Sequence, residues 1–246
     1  MNAMAGGGSL LSFPALLWAG ATPTVANATS TVALLPGSAS AFWTYRDDLV
    51  HSEQGGDRRL LAIVAIPSVI GGGLGAWLVL RAGDALFARL VPWLILGATV
   101  LFMVREPIAR LTKSTSGSVD RLHGKRLLAV SLFQLLVATY GGFFGAGIGI
   151  LMLAALAMAG LTSMHRMNAV KNFAAVAINV VAAILFVIGD KIDWPIAAMM
   201  AVGAMLGGVA GARLARRLGQ RFVRATVVVI GLTITAVMFV RQIRGG

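Results

Sequence analysis

The chain has 246 residues, of which 58% are hydrophobic and only 12% charged, with a mean hydropathy of +0.85. A soluble domain carries roughly 25% charged residues, so this chain has too few polar groups to cover a water-soluble globule. The absence of cysteine excludes disulfides, thiolate metal sites and a cysteine nucleophile. His51, His123 and His165 are too scattered for a metal site, so no metal and no cofactor are expected. A net charge of +12 would suit a nucleic-acid partner. The Lys and Arg residues, however, sit in short connections between apolar runs, as topogenic charge does in a membrane protein, and no nucleic acid is expected.

In chain order, a glycine-interrupted apolar stretch at 3–21 is followed by apolar runs at about 28–45, 60–80 and 86–104. Each is near the ~20 residues needed to cross a bilayer core of about 30 Å. A polar connection at 105–126 divides the chain into a first unit, 1–105, and a second, 127–246. The second unit opens with the 34-residue apolar stretch 127–160, too long for one straight crossing and broken by Gly141, Gly142, Gly145, Gly147 and Gly149. Glycine in mid-helix costs about 1 kcal/mol per residue, so the spacing predicts a hairpin that returns to its starting side. Runs at about 168–189, 194–212 and 222–240 complete the unit.

The charges favour the hairpin. If 127–160 turns back, the connections 46–59, 105–126, 161–171 and 213–224 share one side and hold 16 Lys and Arg, against 5 on the other. The basic side is then cytoplasmic, and the protein is expected to be multi-pass in the cell inner membrane, with lipid as its surrounding partner. Trp18, Trp43, Trp77, Trp93 and Trp194 mostly fall near span ends, where interfacial anchors lie. The basic run at 213–224 fits topogenic charge, with anionic lipid heads as an alternative partner.

The two units match each other. Gly7, Ser9, Leu11, Leu16, Gly20 and Thr22 fall on Gly147, Gly149, Leu151, Leu156, Gly160 and Thr162, an offset of 140 residues. Asn27 falls on Asn168, an offset of 141, and Gly71, Gly72, Gly75 and Ala76 fall on Gly207, Gly208, Gly211 and Ala212. Each unit reads as a hairpin plus three spans, an odd number, so the second is inserted upside down. The expected fold is an all-α polytopic bundle of two inverted repeats, each a glycine-broken hairpin plus three transmembrane helices. Glycine-interrupted helices at matching places in inverted repeats mark secondary transporters, with the site at the repeat interface.

The segments Ala5-Gly-Gly-Gly-Ser-Leu-Leu-Ser-Phe-Pro-Ala-Leu-Leu17 and Ala26-Asn-Ala-Thr-Ser-Thr-Val-Ala33 resemble the first half of the TauE/SafE family of sulfite-exporter-like permeases. Gly141-Gly-Phe-Phe-Gly-Ala-Gly-Ile-Gly149 and Asn168-Ala-Val-Lys-Asn172 are similar to the second half. The resemblance implies export of sulfite, an organosulfonate or a related small anion. Family members usually carry another helical arm before the first glycine segment, and here four residues precede it. The first hairpin is therefore expected to be truncated, or else the start is misassigned.

The candidate substrate-binding residues follow from the polar groups inside apolar runs. Asn168, Lys171 and Asn172 share a helical face with Asn179, and offer an ammonium and amide donors to anionic oxygens. Snorkelling to the cytoplasmic surface is the competing reading for Lys171, and interhelical hydrogen bonding that for the asparagines. Asn27 and Ser30, with Thr29 beside them, are the mirror set, although hydroxyls in helices often bond back to a carbonyl one turn earlier. Gly6, Gly7 and Gly8, with Gly145, Gly147 and Gly149, either offer backbone N–H groups to an anion or only permit tight turns.

All nine carboxylates and all three histidines fall in connections or at span ends, so no intramembrane proton relay is expected. Export of an anion from a negative interior gains about 2.3 kcal/mol per charge per 100 mV. The alternatives are a small-anion channel, an uptake permease for a carboxylate or sulfur oxyanion, or a scaffold. No H-E-x-x-H, G-x-S-x-G or paired intramembrane carboxylates point to an enzyme. A homodimer is a possible assembly.

Overall fold

Gly83 sets the course of the chain. In a computed structural model describing residues 9–45, 57–104, 125–159, 161, 163–204 and 220–244, the helix Asp57–Met103 is non-helical at this glycine (φ 67°, ψ 172°). It divides into arms 57–82 (α3) and 84–103 (α4). Contacts to a third segment prove the reversal. Gly72 abuts Gly142, and a Cβ on Gly147 would lie 3.7 Å from Ala98 Cα. Gly142 and Gly147 can be at most about 18 Å apart along the chain, whereas a straight helix would separate Gly72 from Ala98 by about 39 Å.

The other described helices are α1 (Ser9–Trp18), α2 (Pro23–Tyr45), α5 (Lys125–Phe143), α6 (Ile148–Met158), α7 (Met164–Ile188), α8 (Trp194–Ala204) and α9 (Gln220–Arg244). Among the described residues there is no strand. Helix α2 begins at Pro23, where a missing N–H costs nothing, five residues before the apolar run that announces it. Asn27 and Ser30 therefore lie within helix rather than at its mouth. Helix α7 starts at the N-cap Ser163, whose side chain accepts from Arg166 N at 3.5 Å.

Contacts between helices give their directions. Along α3 and α5, Gln134 Nε2 donates to Ser68 Oγ at 3.0 Å, Gly71 meets Ala138, and Gly75 meets Phe143, so these helices run parallel. Gly72 against Ile178 and Leu80 against Gly189 make α3 and α7 parallel too. Helices α2 and α7 are antiparallel: Thr29 Oγ1 accepts from Asp193 N at 3.1 Å, while the Phe42 and Phe173 rings lie 5.7 Å apart. Helices α4 and α9 are also antiparallel, through Thr99 with Gly231 and Trp93 with Phe239, whose rings are 5.0 Å apart. Residues 45, 57, 103, 125, 164 and 220 therefore end on one face, and 23, 83 and 189–193 on the other.

Small residues let α3 and α5 approach. A Cβ on Gly142 would strike the Gly72 carbonyl, and one on Gly75 the Thr139 carbonyl. Backbone contact of this kind is a common way for helices to associate in lipid. The outward faces are apolar: Leu128, Leu132 and Leu136 form an exposed stripe on α5, while Gln134 is buried. Ile66, Ile70, Leu74, Leu86 and Leu90 are likewise exposed. Aliphatic residues outside and polar residues inside are the reverse of the soluble arrangement. Leu60–Met103, at 44 residues, and Arg166–Ile188, at 23, are long and apolar enough to cross a bilayer. The former, bent at Gly83, has the length for two crossings.

The face holding Gly83 is tied by polar contacts. Asp84 Oδ1 accepts from Thr24 N at 3.0 Å, satisfying one of the orphan N–H groups at the start of α2. Asp193 Oδ1 accepts from Ile196 N at 3.1 Å and caps α8. Burial pushes the Asp84 carboxyl up, but the Thr24 N–H, the Thr22 hydroxyl and the Lys191 charge outweigh it and hold the group below the usual carboxylate range.

Three substitutions test the packing and the Asp84 cap. Gly142→Ala should lower the melting temperature in detergent, because overpacking costs about 1–3 kcal/mol. Gly97→Ala, where a Cβ meets nothing within 4 Å, should be neutral or slightly stabilising. Asp84→Asn should lower the melting temperature at neutral pH. The lowered pKa means this stabilisation is present above the unfolded carboxylate value of about 4 and is lost as pH falls through the folded one. A melting series in pH should then show variant and parent converging in acid.

Candidate functional site

The break between α5 and α6 is built from left-handed glycines. Phe144 N and Gly145 N both donate to the Tyr140 carbonyl, at 2.9 and 3.2 Å, closing α5. Gly145 (φ 77°) and Gly147 (φ 78°) then turn the chain in a region that side-chain-bearing residues rarely adopt. Ile150 N donates to the Gly147 carbonyl at 3.0 Å and α6 begins. Helix α6 shares a buried apolar cluster with Leu60, Val130, Val137 and Val170, so it folds back alongside α5 and α7. Gly149 is an ordinary member of its first turn.

This elbow is inside the protein. Gly147 rests against Ala98, fourteen residues beyond Asp84 and so about 21 Å along α4 from the Gly83 turn. Phe13 of α1 packs edge-on against Phe87 and Phe144, with centroids 6.4 and 5.2 Å away, and Phe87 meets Phe143 at 5.4 Å. Backbone carbonyls freed by the turn are taken up by side chains. The Tyr140 hydroxyl donates to Ala146 O at 2.7 Å, and Asn27 Nδ2 donates to Phe143 O at 3.1 Å. The N–H groups of Ala146, Gly147 and Gly149 have no backbone acceptor among the described residues.

Asn27, Thr29 and Ser30 are all buried. Thr29 accepts the Asp193 N–H, so its oxygen is engaged in structure. Thr31 bonds back to Asn27 O at 2.9 Å, as Ser38, Thr99, Thr139 and Thr235 bond to the carbonyls four residues before them. Ser30 departs from that habit: it is 3% exposed and its hydroxyl has no hydrogen-bond partner among the described residues. On α7, Lys171 is 3% exposed, so it does not snorkel to the surface; its ammonium donates to Asn168 Oδ1 at 3.0 Å. Asn172 is 5% exposed and its amide nitrogen has no partner among the described residues.

The second-half elbow is thus brought to Asn27 of the first half. The two polar sets are not brought to each other. The antiparallel pairing puts Asn172 beside the Phe42–Phe173 contact, twelve residues of α2 away from Ser30, so the sets lie on the order of 15 Å apart. Gly6, Gly7 and Gly8 lie outside the described residues. So do Gly207, Gly208, Gly211 and Ala212, and the connection 105–124.

The candidate residues bring together amide, hydroxyl, ammonium and backbone N–H groups and include no carboxylate. The described carboxylates with resolved surroundings, Asp84, Asp190 and Asp193, all lie at the Gly83 face, and no described cluster of His, Asp and Glu could hold a metal ion. The roles of Tyr140 and of the Phe143 carbonyl were not legible beforehand. A tyrosine one residue before a glycine cluster is the only signal, and it does not say which carbonyl needs a donor.

Residues 1–238 match the sulfite exporter TauE/SafE family. A probable membrane transporter protein of Haemophilus influenzae is 31% identical over 98% of this chain and 90% of its own length. The probable membrane transporter protein YfcA of Escherichia coli K12 is 28% identical over 96% of this chain and 83% of its own. A probable membrane transporter protein of Xylella fastidiosa is 30% identical over 88% and 80%. No solved structure matches. A helical bundle with an apolar exterior, a buried polar interior and relatives described as transporters is a membrane protein, and the chain belongs to the TauE/SafE family.

Proposed function

We propose that the protein is a multi-pass permease of the cell inner membrane that moves a small anion, sulfite or an organosulfonate, outward by alternating access. The observation that carries this reading is the buried Lys171 beside an Asn172 amide that has no hydrogen-bond partner among the described residues. An ammonium and an amide donor buried side by side suit the oxygens of a small anion.

The inverted-repeat reading is supported by the antiparallel course of α2 against α7 and of α4 against α9, each pair being counterparts in the two halves. In such architectures alternating access is a rocking of one repeat against the other about a fixed interface. The contacts from α2 to Asp84, Asp193 and the elbow all lie toward the Gly83 face. Opening there requires that they separate. The carboxylates with described surroundings, Asp84, Asp190 and Asp193, lie at the Gly83 face, which favours movement driven by the membrane potential over coupling through a side-chain relay.

Sulfite-dependent current in proteoliposomes held at constant pH is the expected result, and strictly electroneutral, proton-linked flux would overturn the driving-force assignment. Asn172→Ala separates transport from folding. Removing a buried donor that has no partner leaves stability unchanged or raised, so the melting temperature should hold while saturable sulfite flux falls at least tenfold. Unchanged flux would remove Asn172 from the site.

A further inference from the structure

We infer that small oxyanions are held at two separate stations rather than in one shared pocket: a charged one at Asn168, Lys171 and Asn172, and a neutral one at Asn27 and Ser30. This rests on the anion-permease reading and deepens it. Each station contains a polar side chain more than nine-tenths buried whose donor has no partner among the described residues, the Ser30 hydroxyl in one and the Asn172 amide in the other. Burying a donor without a partner is unfavourable, and folded proteins seldom do so without a use for it. The two groups lie within one residue of register in the two halves: an offset of 141 carries Asn172 to Thr31, the neighbour of Ser30.

The offset of 141 that superposes Asn27 on Asn168 also superposes Ser30 on Lys171. The stations are therefore the same helical position in opposed copies, filled once by a hydroxyl and once by an ammonium. Their chemistry differs accordingly. At the charged station Lys171 donates to the Asn168 oxygen, which sets its ammonium beside the Asn172 amide. At the neutral station Asn27 has one amide hydrogen committed to Phe143 O. Ser30 supplies a buried hydroxyl one turn along the same face of α2 from Asn27, which holds the elbow. The Ala146 and Gly147 N–H groups belong to that elbow and have no backbone acceptor among the described residues.

Geometry keeps the stations apart. Thr29 accepting from Asp193 N fixes one end of α2 at the far end of α7, and the Phe42–Phe173 contact fixes the other. Neither Lys171 nor Asn172 can reach Ser30 across roughly 15 Å, since a lysine side chain extends only about 6 Å. An anion passing through would leave a site that holds it by charge for one that holds it by neutral donors alone. Binding that weakens along the path permits release.

Equilibrium binding of radiolabelled sulfite to the purified protein in detergent, under nitrogen, tests this arrangement alongside sulfite flux in proteoliposomes. Two sulfite ions per chain are expected, of unequal affinity. Lys171→Gln should weaken the tighter one at least tenfold, with Lys171→Arg retaining it as the folded control. Ser30→Ala should weaken only the looser one and leave the melting temperature unchanged. A single sulfite per chain, or a second one indifferent to Ser30→Ala, overturns the two stations and leaves the permease reading standing. Neither binding nor flux of sulfite in the unmodified protein removes the permease reading itself.

Discussion

A helix broken inside an apolar bundle leaves backbone polar groups that no solvent reaches, and the protein must satisfy them itself. The elbow at residues 144–147 is this protein's instance, and much of the described structure is arranged around it. Tyr140 reaches forward to the Ala146 carbonyl, and Asn27 reaches from the other half of the chain to the Phe143 carbonyl. The second contact couples the halves. Helix α2 cannot shift relative to α5 without uncovering a carbonyl in a region lined by Phe13, Phe87, Phe143 and Phe144. The same constraint explains the left-handed glycines, because a side chain at Gly145 or Gly147 would forbid the turn that the carbonyls need.

Close packing and mobility are divided between different surfaces. The α3–α5 contact is backbone against backbone through Gly71, Gly72, Gly75 and Gly142, leaving no slack for sliding. Near the Gly83 face α2 adds directional hydrogen bonds, to Asp84, Asp193 and Phe143, to the packing of its buried Ala26 and Ala28. Interlocked small residues resist displacement continuously, whereas a handful of hydrogen bonds can break together and re-form.

Much of this was legible from periodicity and composition. The hairpin at 127–160, the reversal between 80 and 86, and the burial of Asn27, Ser30 and Asn172 follow from apolar run lengths, glycine placement and helical spacing, whereas spacing left Lys171 open between the interior and the surface. Other features depended on which elements meet in space, which one sequence does not state. Nothing in the run of residues around Asp84 says that it caps a helix sixty residues earlier in the chain. Local hydrogen bonding was ambiguous for the same reason: Thr31 bonds back to its own helix and Ser30 does not, though they are adjacent. The separation of the two polar sets was hidden by the repeat itself. Matching positions in sequence suggest convergence, but antiparallel helices carry matching positions to opposite ends.

That separation changes how the electrostatics should be understood. Helix α7 begins at Ser163, so Lys171 lies about two turns from a terminus that already bears a partial positive charge. A cation there gains nothing from its own helix and is disfavoured by burial. The Asn168 oxygen is one group that offsets the cost of that burial. On the permease reading proposed above, the ammonium and the adjoining Asn172 amide are what an arriving anion would meet, at the end of α2 opposite the elbow that Asn27 holds.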